Sequence, residues 1–140
     1  MKSVKKALWI VSLLVLSACA GMMGGGKSVQ VSLSGSEEVP PVSTQGSGSG
    51  SFTVGDDGSV SGSVTTSGIN GVAAHIHQGA RGQNGPVVIG LVKSGDGWAA
   101  PDGAKFNEAQ LSAFKAGNMY VNVHSPSNKG GEIRGQLNPY

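Results

Sequence analysis

Charged and aromatic side chains are both scarce in this chain of 140 residues, at 13% and 5%. Cysteine occurs once, at Cys19, which excludes an internal disulfide and a cysteine-rich zinc site. The best apolar run, Ala7 to Leu16, falls short of the roughly 20 residues a transmembrane helix needs. The familiar catalytic spacings are missing too. Gly48-Ser49-Gly50-Ser51 is a glycine–serine linker with no strand-to-helix turn around it, so it makes no nucleophile elbow. Glu37 and Glu38 are adjacent and would face opposite ways on a strand, a poor acid–base pair. The glycine-rich stretch Gly79 to Gly85 lacks the Lys-Ser/Thr of a phosphate loop. These absences predict a protein that is not an enzyme.

The formal charge of +2 is equally uninformative about a nucleic-acid partner, because Lys2, Lys5 and Lys6 crowd into the first six residues. With residues 1–18 removed, seven basic side chains face eight acidic ones, a balance of −1. No concentrated basic face remains, and no nucleic-acid partner is expected.

What is present begins with an address. Three lysines, the apolar run and Leu16-Ser17-Ala18-Cys19 form a secretory signal over 1–18 ending in a sequence that resembles a bacterial lipobox. The resemblance implies cleavage before Cys19 and lipid attachment to that residue. Ala20, in place of an aspartate, implies sorting to the outer membrane, facing periplasm or exterior. Residues 19–27 then form a lipidated cysteine and a flexible, glycine-rich tether. Acyl chains at about 0.8 kcal/mol per buried CH₂ would hold the protein on the membrane.

Residues 28–140 have the length of one domain and the composition of β structure. Val29-Gln30-Val31-Ser32-Leu33 alternates as a half-buried strand does, and so do Phe52 and Val54 before the turn signal Asp56-Asp57-Gly58. Ser43 to Ser51 reads as a loose connection, and Val87 to Val92 as a strand buried on both faces. One short helix is expected at about 107–116. Asn107 is its N-cap, Gln110 its capping-box partner, Phe106 and Leu111 its staple, and Gly117 its stop. Two final strands, Met119 to His124 and Glu132 to Leu137, pair so that His124 faces Glu132 and Asn122 faces Arg134. The fold class predicted is all-β: an immunoglobulin-like β-sandwich or flattened Greek-key barrel with one inserted helix.

Several segments together, in this order, resemble the CHRD (chordin) domain: Glu38-Val39-Pro40-Pro41, Ala74-His75-Ile76-His77, Asn84-Gly85-Pro86-Val87, Met119 to His124 and Gly131 to Leu137. The resemblance spans about Val29 to Leu137. It implies an immunoglobulin-like β-barrel in an exported protein, lipid-anchored in many bacterial members. It assigns no reaction.

The three histidines of the chain all lie on predicted strands. Alternation puts His75 and His77 on one face of their strand, and His124 sits at the end of another. Two imidazoles at i and i+2 with a third from a neighbouring strand make a three-nitrogen metal site, with Glu132 the candidate fourth ligand. Neutral imidazole suits copper first and zinc less well. The function expected is therefore that of a lipid-anchored envelope protein binding one copper ion through His75, His77 and His124. The alternative is an adhesion or scaffolding module that binds another envelope or extracellular protein.

Overall fold

The computed structural model describes residues 25–139. The export signal, Cys19 and most of the tether lie outside these described residues. Nine strands and one helix follow in order: β1 (Lys27–Ser34), β2 (Ser47–Val54), β3 (Val60–Ser67), β4 (Ala73–Gln78), β5 (Val87–Gly90), β6 (Val92–Ser94), β7 (Gly97–Ala99), α1 (Glu108–Lys115), β8 (Met119–His124) and β9 (Ile133–Leu137). They form one antiparallel sheet in the order β5-β4-β8-β9-β1-β2-β3-β7-β6. Its two edges, β5 and β6, are separated in the chain by Leu91 alone, whose N–H donates to Ala74 O at 2.9 Å. One short stretch thus closes the sheet into a nearly complete barrel, the all-β architecture expected.

The inner face follows the alternation of the sequence. Val29, Val31 and Leu33 of β1, Phe52 and Val54 of β2, and Val60 and Val64 of β3 are all buried. Ala74 and Ile76 of β4, Val121 and Val123 of β8, and Ile133 and Leu137 of β9 complete the wall around this core. Full burial of each large apolar side chain stabilises the fold by about 1.5–3 kcal/mol. The β2–β3 turn closes on Gly58, whose φ of +87° suits a residue without a Cβ, while Asp57 Oδ1 accepts from Ser59 N–H at 3.0 Å.

The helix is shorter than its signals suggested by a residue or two, but its start forms as expected. Asn107 Oδ1 accepts from Gln110 N–H at 2.8 Å, and Gln110 Oε1 accepts from Asn107 N–H at 2.9 Å. Gly117 then reverses the chain at φ +78°. Phe114 seals the helix onto the sheet beside Phe106, the two ring centroids 6.1 Å apart.

Two local expectations are corrected. The glycine–serine stretch read as a loose connection supplies the first half of β2, with Gly50 opposite Val31 and Gly48 opposite Leu33. A Cβ on Gly50 would come within 2.0 Å of Ser63 O, so the absent side chain is what lets the three strands pack closely. The run Val87 to Val92 is not buried on both faces. Ile89 and Leu91 point inward, whereas Val87 and Val92 are about half exposed, because the run straddles the barrel seam and no described residue covers its outer face. Trp98 is a buried core residue opposite Val64, with Lys93 Nζ 4.9 Å from its ring.

Candidate metal centre

The outer face of β4, β8 and β9 carries the chemistry. Along β4, His75 and His77 alternate with the core-facing Ala74 and Ile76. β4 pairs with β8 so that Ala73 faces His124, His75 faces Asn122 and His77 faces Tyr120. β8 in turn pairs with β9 in the expected register, Asn122 facing Arg134 and Val123 facing Ile133. Glu132 N–H donates to Val123 O at 2.8 Å just beyond the last of these pairs. Tyr120, Asn122 and Arg134 are nevertheless buried, since the segments around Gly35–Val42 and Gly79–Pro86 fold across this outer face. The two segments are joined to each other by the Arg81–Glu37 ion pair and by Asn84 Nδ2 donating to Val39 O at 2.8 Å.

His75, His77 and His124 converge. Each offers one ring nitrogen, and the three nitrogens lie within 4.8 Å of one another. His75 Nδ1 and His124 Nε2 are 3.0 Å apart. The opposite nitrogens are anchored. His77 Nδ1–H donates to Gly85 O at 2.9 Å, and His124 Nδ1–H donates to Lys129 O at 2.9 Å. Carbonyl oxygens only accept, so each anchor places the proton on Nδ1 and leaves Nε2 with a lone pair. His77 Nε2 is buried and has no hydrogen-bond partner among the described residues. A buried nitrogen without a partner costs free energy unless something else uses its lone pair.

Burial keeps His75 and His77 neutral. Burial depresses the pKa of His75, and its two neighbouring imidazoles add to the effect. Burial likewise depresses His77, with the Gly85 carbonyl bond opposing it. At pH 7 both rings are therefore unprotonated, the form that binds metal.

Glu132 does not join the three histidines. Its carboxylate accepts from Thr44 Oγ1 at 2.5 Å, and bonds from Ser125, Thr44 and Asn128 hold its pKa below the usual carboxylate range. These bonds turn it toward the strand-to-strand connection at Thr44, so the register that brings its backbone opposite His124 does not bring its oxygens there. The carboxyl group embedded behind the site is Glu38 instead, 4% exposed and pushed up to about 7 by burial against the pull of Arg134.

Sequence reasoning placed Tyr120, Asn122 and Arg134 on the same face as the histidines but gave them no role. The Tyr120 ring stacks on His77, the centroids 4.8 Å apart and the planes 4° from parallel. The Arg134 guanidinium lies 3.4 Å from the other ring's centroid, that of Tyr120. Strand alternation on β4 and β8 carried this signal, since a tyrosine opposite a histidine on an outer face is in stacking reach.

Among known proteins, the family model of the CHRD domain matches residues 29–137. No curated protein and no solved structure matches the chain. The match covers most of the sequence and includes all three histidines, Tyr120 and Arg134. The chain belongs to the CHRD domain family.

Proposed function

From this CHRD domain and its three converging imidazoles, we propose a protein that holds a single copper ion at the cell envelope. Its ligands are His75, His77 and His124, and its task is sequestration, delivery or sensing of the ion rather than turnover. The observation that carries the reading is the convergence of three ring nitrogens within 4.8 Å, two of them with their tautomer already set by backbone carbonyls.

In this reading His77 and His124 bind through Nε2. The ion takes the place of the hydrogen bond between His75 Nδ1 and His124 Nε2, and the His75 proton moves to its own Nε2. Three nitrogens leave an open position through which an ion can be taken up and passed on. Copper is preferred over zinc because divalent copper binds nitrogen sites most tightly among its neighbours in the first transition row. The single cysteine beyond the export signal supports a lipid anchor, with the glycine-rich tether joining it to the barrel.

The test is elemental analysis of the full chain purified from its own membrane without added metal, followed by copper titration. We expect one copper per chain, and no comparable binding in a variant with His75, His77 and His124 all changed to alanine. If that variant binds copper as tightly as its parent, the site assignment is wrong. Retention of zinc alone would replace the metal but keep the ligands. An adhesion or scaffolding role predicts instead that folding and partner capture are indifferent to metal.

A further inference from the structure

Arg134 is 1% exposed, yet its guanidinium makes no ion pair among the described residues. Its donors go to neutral oxygens of a single loop. Nη2 donates to Ala80 O at 3.0 Å and to Gln83 O at 2.8 Å, and Nη1 donates to Asn84 Oδ1 at 3.4 Å. Its flat face lies against Tyr120. Burying a cation is costly, and a well-packed apolar side chain of similar size would serve the fold as well or better. The cation therefore calls for a purpose beyond packing.

Both of its partners lead to the same imidazole. The loop it ties down ends at Gly85, whose carbonyl oxygen accepts the His77 Nδ1 proton. Gly85 N–H in turn donates to Tyr120 Oη at 3.1 Å. The Tyr120 ring, supported from behind by the guanidinium, stacks nearly parallel on His77. Stacking fixes the plane of the His77 ring, and the Gly85 carbonyl fixes its rotation within that plane and its tautomer. Gly85 itself admits no side chain, because a Cβ there would lie 1.7 Å from Gln78 O.

We infer that Arg134 is a positioning residue for the metal centre, acting on His77 by two routes, through the loop to the Gly85 carbonyl and through the Tyr120 ring. Its importance to metal binding rests on the copper reading above; its control of His77 does not. Its planar fork of donors reaches three oxygens of the loop at once, which the point charge of a lysine does not reproduce.

The experiment uses nitrogen NMR of the histidine rings in the metal-free full chain, with copper affinity as the second readout. The parent should show His77 as one tautomer, proton on Nδ1. In Arg134→Lys, which keeps the charge, His77 should become a mixture of tautomers while His124, held separately by Lys129 O, keeps its own. Copper affinity should fall about 10- to 100-fold, the range for groups that orient a ligand from behind. General loosening of the fold would disturb both rings, so His124 is the internal control. If Arg134→Lys is folded and leaves both the His77 tautomer and copper affinity unchanged, the inference is overturned. Should that variant not fold, Arg134→Met decides. A buried cation replaced by an apolar side chain of similar length is commonly tolerated, and it removes the loop donors and the planar group on the Tyr120 ring together, so an unaltered His77 there overturns the inference equally. A parent chain with the single His77 tautomer but no copper affinity would overturn the copper reading while leaving the control of His77 by Arg134 in place.

Discussion

His75 Nδ1 lies 3.0 Å from His124 Nε2 although 49 residues of chain separate the two. The contact is a consequence of register. β8 runs antiparallel to β4 with His124 opposite Ala73, so the last imidazole comes diagonally beside His75 on the outer face. A shift by one residue would send His124 into the core and break the group.

An ion that binds only the folded chain stabilises it by mass action. With free copper at one hundred times the dissociation constant, the gain is about 2.7 kcal/mol. Thermal melts of the parent should move upward with copper and return on chelation. His75→Ala, His77→Ala and His124→Ala should each lose most of this shift, and His77→Ala should also lower the metal-free melting point, because it removes the ring stacked on Tyr120 and the donor to Gly85 O.

The proposed lipid attachment at Cys19 has an equally direct consequence. Cys19→Ser removes the thiol that would carry the acyl chains, and the tether that follows, Ala20 to Lys27, is short and glycine-rich with no long apolar run to hold a membrane. Membrane fractionation should find the parent with the bilayer and the variant no longer extracted with lipid. A variant that stays bilayer-bound after a salt wash would point to another anchor.

The glycines of β2 are not equivalent. A Cβ at Gly50 would meet Ser63 O at 2.0 Å and Val64 Cα at 2.7 Å, both backbone atoms that cannot step aside. At Gly48 the nearest approaches are 3.3–3.4 Å, to Thr65 O, Ile133 Cδ1 and Leu33 Cβ. Gly50→Ala should destabilise by about 3 kcal/mol or more, at the upper end of overpacking. Gly48→Ala should cost far less. Urea unfolding of the two variants measures the contrast, and equal midpoints would contradict it.

The same strand shows where the sequence was silent. Alternation of apolar residues reveals β1, β4, β8 and β9, and with them the face shared by His75 and His77 and the pairing of Asn122 with Arg134. The first half of β2 has no alternation, because close approach of neighbouring backbones demands glycine where a strand normally shows valine. Nor does periodicity reveal that Arg134 and Glu38 are buried. On a strand-by-strand reading Arg134 belongs to a solvated outer face, and Glu38 lies in the connection that follows β1. Their burial comes from loops whose course is set by bonds between distant residues, such as Arg134 to Ala80 O and Asn84 to Val39 O, and no local pattern encodes these. Glu132 failed as a fourth ligand for a related reason, since register fixes a backbone position but Thr44, a partner 88 residues away, decides where the carboxylate goes.

Glu38 makes the fold lose stability as pH rises from the acid range to neutrality. Burial raises its folded pKa from 4.5 to about 7. The folded chain therefore holds this proton more tightly than the unfolded chain does. That contribution is fully present below about pH 4.5 and is lost as pH rises through about 7. His75 and His77 act in the opposite sense. Burial depresses both below 6.5, so their contribution is present above that pH and is lost as pH falls through their folded values. Between about pH 4.5 and 7 the two effects oppose each other, the Glu38 contribution falling while the histidine contributions grow up to about 6.5. Glu38→Gln keeps the shape and removes the charge, so it should abolish the fall alone. The two curves should run parallel below about pH 4.5, diverge between about 4.5 and 7, and run parallel again above that. Across the window the variant should gain on its parent by on the order of 2 kcal/mol, allowing for partial solvent screening of the carboxylate. Urea midpoints across this pH range test the point. Curves that stay parallel throughout would mean that Glu38 ionises as freely in the folded chain as in the unfolded one, and that the space around its carboxyl is wetter than its burial implies.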